Sequence, residues 1–208
     1  MLKPVNDTSS EMNSDKFAKF NMESTLNKAS FTLFGIGMLL PWNAMLASMD
    51  FFIAQFPSYK PNFSILVAVS APMFIVQAIV FFFLQKWSLH FKVTLMFTLS
   101  TAITFAIVLV SLCIDDESTA YWLVLGLSFL FGSCYAILQA ALYGLAGPSV
   151  TLMNNLNLGI GLSGFVINLL RVIVLAAIKD DAEGAEIFFF TTGAYLLFCT
   201  VLAGRFVQ

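Results

Sequence analysis

The sequence predicts an all-α polytopic membrane protein, a bundle of six transmembrane helices. Three observations carry this. Hydrophobic residues make up 59% of the 208 positions and charged residues 11%, where a soluble domain is nearer half apolar and a quarter charged. The mean hydropathy is +0.88. The apolar residues also gather into six runs, each close to the roughly 20 residues that a helix needs to cross hydrocarbon.

Taken in order, residues 1–30 interleave Lys3, Lys16, Lys19 and Lys28 with acids, Ser, Thr and Asn. With no apolar h-region, this stretch reads as a polar cytoplasmic tail and not as a cleavable signal. The first span, 31–54, is then its own anchor. A turn-like link with Pro57 and Pro61 leads to the second span, 63–84, which contains Pro72 and Gln77. Lys86, His90 and Lys92 separate it from the third span, 93–114. The acidic turn Asp115-Asp116-Glu117 precedes the fourth, 121–145, and Gly147-Pro148 divides that from the fifth, 152–178. A second acidic link, with Asp180, Asp181, Glu183 and Glu186, precedes the sixth, 187–203, and the bundle closes by residue 206. Folded this way, the tail, Lys86, Lys92 and Arg205 share one side, and only Lys60 and Lys179 lie amid the acids opposite. That asymmetry places both ends in the cytoplasm. It also puts the sequon Asn62-Phe63-Ser64 outside, close to the membrane, and the Asn6 sequon inside.

Chemistry is expected where the spans break the apolar rule. Pro41, Trp42 and Asn43 fall near the middle of the first span. Pro41 cannot donate to the carbonyl of Gly37, Trp42 carries an N–H, and Asn43 needs a partner at membrane depth. A kinked helix glued to its neighbours is one reading; a solute site at the bend is the other, since irregular backbone is tolerated where it lines a cavity. Leu39, Trp42, Asn43 and Leu46 share a face at spacings of three and four. In the fourth span, Gly132, Ala136, Ala140 and Gly144 make a smooth stripe for close packing. Beside it runs a ridge of Tyr135, Gln139 and Tyr143. Gln139 is either interhelical glue or part of a site; an aromatic wall with an amide suits a flat, hydrogen-bonding solute. The fifth span holds Asn168 and Arg171. Arg171 can snorkel outward or pair laterally with Asp50 as an outer clamp. Gly159, Gly161, Ser163 and Gly164 thin the same helix, and their GxG spacing is no nucleotide loop because no strand precedes it.

Catalysis finds no support. No carboxylate pair, Ser–His arrangement or HExxH spacing lies in a span, and His90, the single histidine, sits in a basic link. No cofactor, metal or nucleic acid is expected. Cys113, Cys134 and Cys199 have no metal-ligand spacing and are expected as free, buried thiols.

The stretch Gly35-Ile36-Gly37-Met38-Leu39-Leu40-Pro41-Trp42-Asn43 resembles the first-helix signature of equilibrative nucleoside transporters. Ala136-Ile137-Leu138-Gln139 followed by Tyr143-Gly144-Leu145-Ala146-Gly147 resembles the fourth helix of that family. Gly159-Ile160-Gly161-Leu162-Ser163-Gly164, continuing to Leu169-Leu170-Arg171-Val172, is similar to the fifth. The resemblance implies a major-facilitator-like fold of eleven spans and facilitative transport of nucleosides, sometimes nucleobases. Carried over by motif, Leu39, Trp42 and Leu46 would frame the base, Gln139 would hydrogen-bond its edge, and Met73 would take an apolar wall position. Tyr135 stands where some members have glycine. Six spans correspond to the N-terminal half and lack the second-half Asp/Arg pair that the family uses on the ribose. The chain is therefore expected to be that half, as a fragment, a truncated product or a half-transporter pairing with a second six-helix half or a full-length relative. Beside transport with nucleoside as substrate, the alternatives are a transport-incompetent half that modulates a full-length relative, and proton-coupled uptake with Asp50 titrating. The expected location is the plasma membrane.

Overall fold

Helices form along every apolar run, and several begin where a polar side chain can cap them. The computed structural model describes residues 24–83, 87–177 and 181–206. α1 (Thr25–Ala47) starts at Ser24, whose hydroxyl accepts from the Asn27 N–H at 3.3 Å. A break at Ser48 separates it from the short α2 (Met49–Gln55). α3 (Pro61–Phe83) follows a tight turn. α4 (Leu89–Cys113) is capped by Ser88 and α5 (Glu117–Ala146) by Asp116, each side chain accepting from the N–H three residues on. α6 (Val150–Ala177) and α7 (Asp181–Phe206) complete the chain. Among the described residues six helices are long and apolar enough to cross a membrane, and the chain is a multi-pass membrane protein.

The helices run in alternate directions, so the bundle has a near end, at Thr25, and a far end, where α2 leads into α3. In space α6 packs on α1, α1 on α7, α7 on α4, α4 on α5, and α5 on α3. This traces an arc with α3 and α6 at its tips. The core inside it is aromatic and aliphatic: Phe34, Met38, Phe97, Phe131, Leu138, Leu142, Leu156 and Leu196 are all buried.

Two crossings set the geometry of the arc. Gly35 of α1 and Gly159 of α6 face each other so closely that a Cβ on Gly35 would strike the Leu156 carbonyl oxygen, and one on Gly159 the Thr32 carbonyl oxygen. At the other tip a Cβ on Gly132 of α5 would strike the Val69 carbonyl oxygen of α3. Backbone approaches backbone there, as small residues allow in membranes.

Three expectations need correcting. Helices overrun the apolar runs: Thr25 to Ser30, read as tail, is the first part of α1, and α5 begins at Glu117 instead of residue 121. A capped first turn does not need to be apolar, so hydropathy alone starts it late. The first span, read as one run over 31–54 with a bend at Pro41, is two helices. Helix continues through Pro41, which is buried, and stops at Ser48, a buried residue whose hydroxyl has no hydrogen-bond partner. Finally, Cys134 and Cys199 are buried but Cys113, at the last turn of α4, is exposed. The readings of Lys3, Asn6, Lys16, Lys19, Lys86, Lys179 and Asp180 fall outside the described residues.

Candidate functional site

Between α1, α3 and α5 lies a cavity of about 190 Å³, lined by Leu39, Trp42, Val69, Ser70, Met73, Phe131 and Tyr135. Its shape follows from helix register. Leu39 and Trp42 are one turn apart on α1. On the other side the Gly132–Val69 contact locks α3 and α5 side by side in parallel, which brings Met73 and Tyr135 to the same level. Three of the residues singled out in the sequence, Leu39, Trp42 and Met73, thus meet in one cavity, with Tyr135 of the α5 ridge as the fourth wall residue.

The amides lie just outside it. One turn along the same two helices, Gln77 Nε2 donates to Gln139 Oε1 at 3.1 Å; Gln77 is exposed and Gln139 half-buried. Asn43 turns the other way: its Nδ2 donates to Ser163 Oγ of α6 at 3.0 Å, and the Ser163 hydroxyl donates to the Ile160 carbonyl at 2.6 Å. Asn43 therefore ties α1 to α6, two turns beyond the Gly35–Gly159 crossing. Leu46 is 40% exposed and is not among the residues lining the cavity. The third ridge residue, Tyr143, donates its hydroxyl to Asn157 Oδ1 of α6 at 2.9 Å.

Toward the far end Arg171 of α6 donates to Asp50 of α2 at 2.8 Å, an ion pair whose side chains are 36% and 74% exposed. Asn168 is not part of that pair; its Nδ2 donates to the Gly164 carbonyl of its own helix at 2.8 Å. The far end is further laced by Glu117, which accepts from the Ser58 N–H and hydroxyl at 2.9 and 3.0 Å. Tyr59 stacks on Tyr121 with ring centroids 4.0 Å apart.

A second cavity of about 200 Å³ opens at the near end, lined by Asn27, Phe31, Phe34, His90, Val93, Leu145, Leu152 and Ala203. His90, read as a link residue, lies in its wall. Among the described residues no three His, Cys, Asp or Glu side chains gather as a metal site would require. Sequence reasoning missed Val69, Ser70 and Phe131 as cavity walls, and Gln77 and Ser163 as the partners of the two amides. The signal for Gln77 was present: a polar residue four positions after Met73, on the same helix face.

Comparison with known proteins gives this geometry a setting. The chain is 29% identical over 157 residues to equilibrative nucleotide transporter 7 of Arabidopsis thaliana, a match covering 72% of this chain and 37% of the relative. The chain resembles the equilibrative transporters. Equilibrative nucleotide transporter 8 of the same plant is 24% identical over 181 residues, covering 81% of this chain and 46% of the relative. Equilibrative nucleotide transporter 1 is 26% identical over 182 residues, covering 82% and 40%. No family model matches the chain. The chain spans less than half the length of these transporters, and the matched region extends over most of the bundle.

Proposed function

We propose that this chain forms the N-terminal half of a facilitative transporter for nucleosides, or for their bare bases, working by alternating access with no covalent step. The single observation that carries the reading is the cavity between α1, α3 and α5. It offers the indole of Trp42, the ring of Tyr135 and the apolar side chains of Leu39, Met73, Val69 and Phe131, with the Gln77–Gln139 amide pair one turn away. Flat rings bury well against such a wall, and an amide reads donors and acceptors on a ring edge. The relatives are named for nucleotides. A phosphate calls for Arg or Lys, and the cavity's lining contains neither, which favours the uncharged nucleoside at this wall.

The other residues take supporting roles in this reading. Asn43 fixes the tilt of α1 through Ser163, Asp50 and Arg171 clamp α2 to α6 at the far end, and Asn168 stiffens the helix beneath Arg171. Leu46, exposed beside the cavity, faces the second bundle. Lys28, Lys92 and Arg205 at the near end against Asp50, Asp115, Asp116 and Glu117 at the far end favour a cytoplasmic near end, with the plasma membrane as the location. One bundle supplies half of a wall, so transport requires a second half, whether covalently continuous or a separate subunit.

A second reading keeps the fold and drops the transport: the chain pairs with a full-length relative and modulates it. The open arc between α3 and α6 favours a partner of either kind. Uptake of labelled uridine, adenosine and AMP into proteoliposomes tests both. Saturable nucleoside uptake by the chain joined to or mixed with a second half, with AMP excluded, is the expected result. Uptake of AMP as fast as adenosine would overturn the nucleoside assignment. No uptake in any combination, with altered flux through a co-reconstituted relative, would favour the modulator. Sensitivity of uptake to a proton gradient, lost in Asp50→Asn, would replace the facilitative mode by a proton-coupled one.

A further inference from the structure

We infer that the Tyr135 hydroxyl is a solute-binding group, which makes the cavity selective for a ring with a hydrogen-bonding edge over an apolar ring of the same size. The inference rests on the nucleoside-site reading and deepens it. The chain has five tyrosines, and four of their hydroxyls are bonded within the bundle. Tyr59 donates to Ser118, Tyr121 to Ser64, Tyr143 to Asn157 and Tyr195 to the Leu33 carbonyl, at 2.7–3.1 Å. The fifth, Tyr135, is 7% exposed, and its hydroxyl has no hydrogen-bond partner among the described residues. A buried tyrosine hydroxyl usually has one, because leaving it unmade is costly. Nor is this oxygen sealed in: the fully enclosed hydroxyls without a partner are those of Ser48, Thr94, Ser100 and Thr192. Tyr135 keeps an opening, and the space it lines is the cavity.

Two more lining residues carry polar groups in the same state. The Trp42 N–H and the Ser70 hydroxyl also have no hydrogen-bond partner among the described residues. Elsewhere in the bundle Thr101, Thr104, Ser111 and Ser128 turn back onto the carbonyl four residues before them. Residues of α1, α3 and α5 thus bring three unpartnered polar groups to one cavity whose lining has no charged side chain. The indole can only donate, and the two hydroxyls donate or accept. A solute that satisfies them is uncharged and offers at least one acceptor, as a heteroaromatic base does. In the nucleoside reading it is the ring that lies against Trp42, so its edge is what Tyr135 meets. The position of a phenol oxygen is set by the ring, and turning the O–H only exchanges donor for acceptor. Tyr135 therefore does not choose between oxo and amino edges. It separates an edge that hydrogen-bonds from one that does not.

The test is equilibrium binding of uridine, and of the phenyl riboside in which benzene replaces uracil, to the reconstituted full chain. The wild type is expected to favour uridine. Tyr135→Phe removes one oxygen and keeps the ring. It should cut that preference by about three- to tenfold, the worth of one net hydrogen bond, by weakening uridine and leaving the phenyl riboside as it was. A merely structural role would weaken both ligands alike and leave the ratio unchanged. Equal loss for both ligands in Tyr135→Phe, or no loss for either, would overturn the role of Tyr135 and leave the cavity assignment standing. Uridine binding unaffected by Trp42→Ala, or a wild type that binds neither ligand, would overturn the cavity assignment, and the role of Tyr135 with it.

Discussion

Trp42 lines the cavity and Gln139 lies one turn outside it; in the proposed reading the first supplies area and the second direction, so their removal should differ in kind. Stacking a base on an aromatic ring is worth about 1–3 kcal/mol, so Trp42→Ala should weaken nucleoside binding by roughly ten- to a hundredfold across all bases. Gln139→Ala removes one net hydrogen bond and should cost about three- to tenfold, with loss of discrimination between bases. Titration calorimetry or fluorescence quenching on detergent-solubilised protein, at matched membrane abundance, separates the two. Asp50 and Arg171 are exposed enough that their ion pair contributes only about 0–1 kcal/mol to stability. Reversing either charge should leave thermal stability nearly unchanged while altering transport, and the double reversal should restore it. Failure of the double variant to recover flux would remove the clamp. At this scale the sequence told which residues break the apolar rule, but not where their second hydrogen bonds go. Asn43 and Gln139 looked alike as amides within spans. Only their partners, Ser163 on α6 and Gln77 on α3, separate a structural tie from a residue beside the cavity.

At the scale of elements, the helix crossings set the positions that side chains then occupy. Gly159→Leu should destabilise the bundle by about 1–3 kcal/mol or more, because overpacking forces α1 and α6 apart where backbone already meets backbone. Gly161, two residues on, has open space around it. Gly161→Ala should be neutral or slightly stabilising, since alanine is the better helix former. Thermal unfolding of the two variants side by side is the check. The start of α5 carries a pH signature. The side chain and backbone N–H of Thr119 hydrogen-bond the Asp116 carboxylate and hold it below its usual range. A carboxylate depressed on folding lends stability above its unfolded value, near pH 3.9, and that stability is lost as pH falls through the folded value. Hydrogen-exchange protection in the first turn of α5, taken relative to the intrinsic exchange rate at each pH, should fall on acidification below about pH 4, and Asp116→Asn should abolish that fall. The six apolar runs were legible because lipid demands them. The break at Ser48 was not, because proline is the stronger local signal and a buried serine in a helix is ordinary in sequence.

At the scale of the molecule, the arc order α6–α1–α7–α4–α5–α3 places the cavity between two tightly crossed pairs, α1 with α6 and α3 with α5. Residues from three separate spans line it, which no local pattern in the chain announces. The six spans were readable from hydropathy; which spans are neighbours was not, since it depends on where glycines let backbones touch. On the half-transporter reading, the chain alone should bind solute more weakly than a complete transporter, which would add the facing wall. Adding a second half should raise affinity and introduce saturable flux, measured in the same proteoliposomes. The interruption at Ser48 sets two kinds of behaviour apart along one stretch of chain. On the transport reading, Leu39 and Trp42 before it would meet the solute, and Met49 to Gln55, which hold Asp50 of the pair with Arg171, would take part in far-end closure. Variation in the first group should show as altered selectivity at unchanged speed, and variation in the second as altered speed at unchanged selectivity. On that reading, closure rate would be free to drift in evolution without disturbing what is recognised.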